Sequence, residues 1–189
     1  MRTFIFGGSF NPVHTGHLFI VQEVMHKLGY ERAILVPANI ASHKANNTKL
    51  TPQDRLLMLK TAVEDMPGIV VDDCDIKRGG ITYSIDTIHY ILKNYDITGR
   101  PGFIIGDDLL PDFDKWRSPD EIKKLVDIIV VRRDVEECIP SDYPDKYIKN
   151  KMLPISSTEI RERVKNGDPI KYLVPEKVRK IIEQRGFYK

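Results

Sequence analysis

Cysteine is nearly absent from this chain: Cys74 and Cys138 are the two in 189 residues. They are too few and too far apart for a disulfide framework or a metal knuckle, so they read as small, reduced, partly buried side chains. A charge excess is missing too. Twenty-nine Lys and Arg against 27 Asp and Glu leave a formal +2, too little to argue for nucleic acid or an anionic membrane as partner. No apolar run approaches the length of a membrane span, and the run after Arg2 is too short for a signal peptide. A cytoplasmic location is the expectation. Long linkers and internal repeats are also lacking, so residues 1–189 are expected to form a single domain, with a helical portion from about residue 156. Against these absences stand 41% hydrophobic and 30% charged residues, ordinary for a globular protein with a full core.

One stretch organises the rest. Phe6-Gly-Gly-Ser-Phe-Asn-Pro-Val-His-Thr-Gly-His-Leu18 lies between an apolar run at 3–6 and a segment in which Leu18, Val21, Val24, Met25 and Leu28 recur at helical spacing. It therefore reads as a strand-to-helix turn. Gly7 and Gly8 are expected to allow positive φ and close approach of a ligand. The helix start near Gly16-His17 offers free N–H groups and a positive dipole end, an anion site. Two common phosphate loops do not fit: no Lys follows Gly16 as a P-loop requires, and Gly7-Gly8-Ser9-Phe10 does not begin a G-x-G-x-x-G fingerprint. What remains is His14-x-Gly16-His17, with Gly16 leaving room between two rings on one helical face. Either histidine alone would read as a helix cap or a surface residue; the pair, behind Gly-Gly-Ser-Phe, reads as a phosphate site.

Further along, the chain alternates short β-rich runs with helical periods. Strands are expected at 3–6, 32–37, 69–72, 102–106 and 128–131, with a last one at 151–155; helices are expected to begin near Thr51-Pro52, Ser84, Ser118-Pro119, Ser156 and Val174-Pro175. This alternation predicts an α/β three-layer, Rossmann-like fold with a mostly parallel sheet. Residues 38–50 should form a polar loop at the carboxyl end of the second strand, where ligands bind in such sheets. Arg55 lies in the first turn of a helix, where a cation gains least from the dipole, so an anionic partner is expected for it. Asp72, Asp73 and Asp75 read as solvated loop charges, Ser84 as a helix cap, and 134–150 as the least structured stretch. Trp116, the single tryptophan, stands beyond the fourth strand, where core packing and a ring-stacking platform compete.

Taken together, these residues resemble the bacterial nicotinate-nucleotide adenylyltransferases of the H-x-G-H nucleotidyltransferase superfamily, over almost the full length. The resemblance is carried by Gly7 to Leu18, His43-Lys44, Arg55, Thr82-Tyr83-Ser84 with Asp86, Ile105-Gly106-Asp107-Asp108, Trp116, Ile155-Ser156-Ser157-Thr158 with Arg161, and the ending from Tyr172 to Tyr188. Asn11 and Ser42 depart from the commoner Asp and Pro. The resemblance implies transfer of AMP from ATP to nicotinate mononucleotide by direct in-line attack. It assigns His14, His17 and Arg161 to catalysis. Gly7, Gly8, Ser9, Phe10, Gly16, Gly106, Asp108, Ser157 and Thr158 are assigned to ATP. Lys44, Arg55, Tyr83, Ser84 and Trp116 are assigned to the mononucleotide. Mg²⁺ would be held mainly through ATP phosphates and water, without a dedicated protein cage. A phosphopantetheine adenylyltransferase and a non-catalytic nucleotide sensor on the same fold are the alternatives. Apolar residues of the last two helices are read as sheet packing, with a homo-oligomer contact as the other reading.

Overall fold

A computed structural model of the chain describes residues 1–41, 50–131, 141–151 and 153–189. Its frame is one parallel sheet. In chain order the strands are β1 (Thr3–Gly8), β2 (Arg32–Pro37), β4 (Ile69–Val71), β6 (Gly102–Gly106), β7 (Asp127–Val131) and β8 (Lys146–Ile148). They are hydrogen-bonded in the order β4-β2-β1-β6-β7-β8, and every pairing is parallel. A separate two-stranded ribbon joins β3 (Ile40–Ala41) to β5 (Ile81–Thr82).

Both faces of the sheet are buried, which is why the strands read as continuous apolar runs. Alternation nevertheless divides them cleanly. Phe4, Phe6, Ala33, Leu35, Ile104, Ile129 and Val131 enter one core, and Ile5, Ile34, Val36, Phe103, Ile105, Ile128 and Val130 the other. The first core is covered by α1 (Thr15–Leu28), α2 (Pro52–Val63), α6 (Ser157–Asn166) and α7 (Glu176–Arg185), through Val21, Val24, Met58, Leu59, Ile160, Val178 and Ile182. The second lies under α3 (Cys74–Arg78), α4 (Ser84–Asn94), α5 (Pro119–Leu125) and a 3₁₀ helix at Asp107–Lys115. Each fully buried Ile, Leu or Phe contributes roughly 1.5–3 kcal/mol, so the two cores secure the sheet from both sides.

The strand order fixes where a ligand can sit. From β1 the chain moves outward to β2 and β4 on one side, then crosses back to β6 and on to β7 and β8 on the other. The reversal falls between β1 and β6, which pair through Phe4–Gly102 and Ile5–Phe103. In open parallel sheets the ligand crevice lies outside the carboxyl ends of the strands at this point. Here those ends lead into the Ser9–His14 turn and into Gly106-Asp107-Asp108.

Helix boundaries follow local chemistry. Thr51 accepts from Asp54 N–H at 3.1 Å, while the Asp54 carboxylate accepts from Thr51 N–H at 3.1 Å, a closed capping box with Pro52 following at N1. Ser156 Oγ likewise accepts from Glu159 N–H at 3.1 Å, but the Glu159 carboxylate accepts instead from Arg163 at 2.9 Å. Helix α6 ends at Gly167 and α7 at Gly186, both left-handed, in Schellman turns closed by Asp168 N–H to Arg163 O and Phe187 N–H to Ile182 O.

Several expectations need correction. The sixth strand is Lys146–Ile148, inside the stretch expected to be least structured, and not 151–155. Residues 40–41 are paired with β5 rather than looped out. Ser84 does not cap α4: Tyr83 holds the N-cap position, with no side-chain cap. Of the acidic residues after β4, Asp75 is buried and Asp72 is hydrogen-bonded, while Asp73 stays partly exposed beside Lys77. Asp75 is 2% exposed and accepts from Thr87 Oγ1 at 2.8 and 2.9 Å and from Arg78. Asp72 accepts from Cys74 N–H at 2.8 Å and from the Tyr95 hydroxyl at 2.6 Å. Burial raises the Asp75 pKa more than its donors lower it.

Thr87 is itself 3% exposed. The Thr87→Val substitution keeps the shape and removes the donor, so it should cost about 1–3 kcal/mol at neutral pH, measured by urea unfolding. A raised folded-state pKa means that Asp75 favours folding below its unfolded value and loses that contribution as pH rises. The Thr87→Val deficit should therefore shrink on acidification; an unchanged unfolding midpoint at pH 7 would contradict this view of the network.

Candidate active site

At the β1 carboxyl end the expected glycine geometry is different from the one found. Gly7 and Gly8 continue the strand and neither has positive φ; Phe10 is the residue in the left-handed region, at φ 44°. Gly8 has another reason to be small: a Cβ there would meet the Phe10 ring at 3.2 Å. Phe10, 2% exposed, packs edge-on against Phe6 and His17, with ring centroids 5.6 and 5.0 Å apart. The turn is thus held by a buried aromatic rather than by backbone freedom.

Helix α1 starts at Thr15, just before the expected Gly16-His17, with His14 at its N-cap. His14 is 3% exposed, and its ring lies 3.6 Å from that of His17, tilted by 32°. The His14 backbone N–H donates to His17 Nδ1 at 3.2 Å. That hydrogen bond assigns the proton of a neutral His17 ring to Nε2, making this nitrogen a donor. Gly16 provides the space for the stack, since a Cβ there would lie 3.0 Å from His14 Nδ1 and 3.1 Å from Cε1.

A second helix N-terminus reaches the same turn. Ser157, first residue of α6, donates from Oγ to Pro12 O at 3.0 Å. Arg161 donates from Nη1 to Asn11 O at 2.8 Å and from Nη2 to Thr158 Oγ1 at 3.1 Å. Residues 9–14 therefore lie between the N-termini of α1 and α6, two sources of positive potential aimed at one place. Arg161 is half-buried and Thr158 exposed.

Arg55 does not look outward for an anion. It is 4% exposed, and it donates to three backbone carbonyls: Ser9 O at 2.6 Å, Ala38 O at 2.6 Å and Asn39 O at 2.8 Å. Burial lowers its pKa, yet a guanidinium stays charged. Its planar fork ties the turn after β1 to the segment after β2, a task a lysine could not copy. Main-chain carbonyls thus stand where an anionic partner was expected for Arg55. Lys44, the other cation expected on the mononucleotide, lies outside the described residues, as does Cys138.

The remaining candidates cluster on the other face. Gly106 closes β6, Asp107 is buried, and Asp108 is exposed with its N–H donating to Asp107 Oδ1 at 3.0 Å. Trp116 is half-buried, packed against Phe113 at 5.0 Å and edge-on to Phe103 at 6.4 Å. Tyr83 is half-buried in the same core at the head of α4, next to Ser84. Asn39 binds this region too, its N–H donating to Thr82 Oγ1 at 3.0 Å and its side chain to Gly80 O at 2.9 Å. Arg117, which was not among the expected residues, lies 4.9 Å over the Tyr83 ring and 3.6 Å from the Asp86 carboxylate. Its place beside Trp116 was the available signal. Among the described residues no group of three or more His, Cys, Asp or Glu could hold a metal ion, and no helix is long and apolar enough to cross a membrane.

Comparison with known proteins agrees with this layout. The cytidylyltransferase-like family matches residues 5–163. A Borrelia garinii subsp. bavariensis protein described as a probable nicotinate-nucleotide adenylyltransferase is 42% identical over 188 residues, covering 100% of this chain and 95% of that one. The chain belongs to the nicotinate-nucleotide adenylyltransferase family. A Hydrogenobaculum protein with the same description is 35% identical, with coverage of 97% and 96%. The fold of Plasmodium falciparum nicotinic acid mononucleotide adenylyltransferase, solved in complex with NaAD, superposes with a TM-score of 0.73 at 17% identity, covering 100% of this chain and 98% of that one.

Gly16→Ala isolates the geometry of the stack. Alanine suits a helix better than glycine by roughly 0.5–1 kcal/mol, so the melting temperature should hold or rise. Adenylyl transfer should fall at least about tenfold as His14 is displaced. Full activity in a folded Gly16→Ala protein would show that ring placement does not matter.

Proposed function

We propose that this protein joins nicotinate mononucleotide to ATP, forming nicotinate adenine dinucleotide and pyrophosphate. The observation that carries the reading is the meeting of two helix N-termini, two stacked imidazoles and one guanidinium on a single turn at the topological switch point. In a chain of this family, such a concentration of donors suits a triphosphate.

Both reactants are anions, so the work is alignment and charge neutralisation rather than activation of a nucleophile. A mononucleotide phosphate oxygen attacks the α-phosphorus; the bond from that phosphorus to the bridging αβ oxygen breaks, and pyrophosphate leaves with the electron pair. His14, the α1 N-terminus and Nε2–H of His17 hold the phosphates in line. Arg161, with Ser157 and Thr158, approaches the β/γ end and offsets the charge of the leaving group. Gly7, Gly8, Ser9, Phe10 and Gly16 shape the turn, and Gly106 and Asp108 take the adenosine side across β6. Tyr83, Ser84 and Trp116 take the pyridine mononucleotide, with Lys44 at its phosphate. Magnesium arriving on the triphosphate would add to the neutralisation through phosphate oxygens and water. The pyridine carboxylate, rather than a carboxamide, suits backbone N–H groups at the head of α4.

Pyrophosphate release with MgATP tests this directly, with nicotinate mononucleotide, nicotinamide mononucleotide or phosphopantetheine offered in parallel. Turnover with the first and little with the others is expected. Release with phosphopantetheine alone, or ATP binding without release from any of the three, would overturn the reading. His17→Ala and Arg161→Ala should each lower kcat/KM by about a hundredfold or more; wild-type rates in either would remove that residue from the mechanism.

A further inference from the structure

The turn after β1 is gripped at three backbone oxygens: Ser9 O by Arg55, Asn11 O by Arg161 and Pro12 O by Ser157. A further grip acts on a side chain and comes from the segment beyond α7. The Tyr188 hydroxyl donates to Asn11 Oδ1 at 2.8 Å, across 177 residues of chain. We propose that Tyr188 is a positioning residue for adenylyl transfer, holding the phosphate turn through Asn11 when Arg161 turns from Asn11 to the triphosphate.

Backbone geometry supports a built contact. Tyr188 has φ 68°, in the left-handed region that a bulky residue enters at a cost and keeps only where its surroundings demand it. The Schellman turn at Gly186 reverses the chain immediately before it. Phe187 and Tyr188 then pack against the core shared by α1, α2 and α7, and Arg185 bonds Asp54 of α2 at 2.9 Å. The segment is therefore moored immediately before the hydroxyl.

Chemistry supports it as well. Burial raises the Tyr188 pKa, while the nearby Arg161 and Arg55 guanidiniums pull it down without reversing the shift. The phenol thus stays protonated and remains a donor at any physiological pH. Arg161 and Tyr188 hold the same residue by different atoms, one at the main-chain oxygen and one at the side-chain oxygen. An Arg161 that moves to phosphate releases the first; the second does not depend on it. This inference rests on the reaction proposed above and concerns one residue outside the ligand contacts.

The test compares wild type, Tyr188→Phe, Asn11→Ala and the double variant. Tyr188→Phe should lower kcat about tenfold, the order of one hydrogen bond, with KM for each substrate and the melting temperature little changed. Tyr188→Phe in the Asn11→Ala background should cause no further loss, because the two act through one contact. Amide hydrogen exchange over residues 9–17 should accelerate several-fold in Tyr188→Phe, a readout that does not depend on the choice of substrate. Wild-type kcat and exchange in Tyr188→Phe, losses that multiply in the double variant, or a fall in melting temperature with kcat intact would each overturn the assignment. A wild-type protein that releases no pyrophosphate while exchange still responds would fault the reaction and leave the hold on the turn standing.

Discussion

A buried arginine whose partners are all main-chain carbonyls sets the terms for the rest of this molecule. Arg55 gains nothing from the dipole of its own helix, and burying it without partners would be expensive. Its hydrogen bonds to Ser9, Ala38 and Asn39 join the two turns that follow β1 and β2. The first leads into the stacked His14 and His17, and the second bonds Thr82 and Gly80 through Asn39. A charged side chain of α2 thus fixes the distance between two turns at the carboxyl ends of neighbouring strands. The Arg161 side chain rests on the turn after β1 as well, bonded to Asn11 O.

The sheet explains why the turn can be so heavily built. Two cores, one on each face, leave the carboxyl ends of β1 and β6 as the open edge of a rigid body. α1 and α6 both cover the first core, and both point their N-termini at that edge. The second core carries Tyr83 and Trp116. One face of the sheet thus carries the two helix N-termini and the other the Tyr83 and Trp116 rings, with the switch point between them.

Much of this is legible in the amino-acid order. The buried strands announce themselves as short β-branched runs, the Thr51 and Ser156 caps as polar residues before apolar periods, and the first strand-to-helix turn by the stretch that ends in His14-x-Gly16-His17. What is not legible has physical reasons. β8 spans three residues at the sheet edge, too few for a period to emerge. α3 spans five and the 3₁₀ helix contains Pro111, so neither carries a helical stripe. Asp75 is charged by composition and buried by context, a pairing with Thr87 and Arg78 that depends on tertiary contact. The role of Arg55 was hidden similarly, since spacing does not distinguish a carbonyl acceptor from an anionic ligand. Gly7 and Gly8 drew attention to backbone freedom, whereas the strained residue is Phe10.

Two helix N-termini and three donor side chains, with no side chain assigned as a nucleophile, make one displacement the central claim. The most direct test uses ATP bearing a chiral thiophosphate at the α position, with the configuration of the dinucleotide product read by phosphorus NMR. A single in-line attack by the mononucleotide phosphate inverts that centre. Retention would mean two displacements through an adenylylated protein, and would contradict the account.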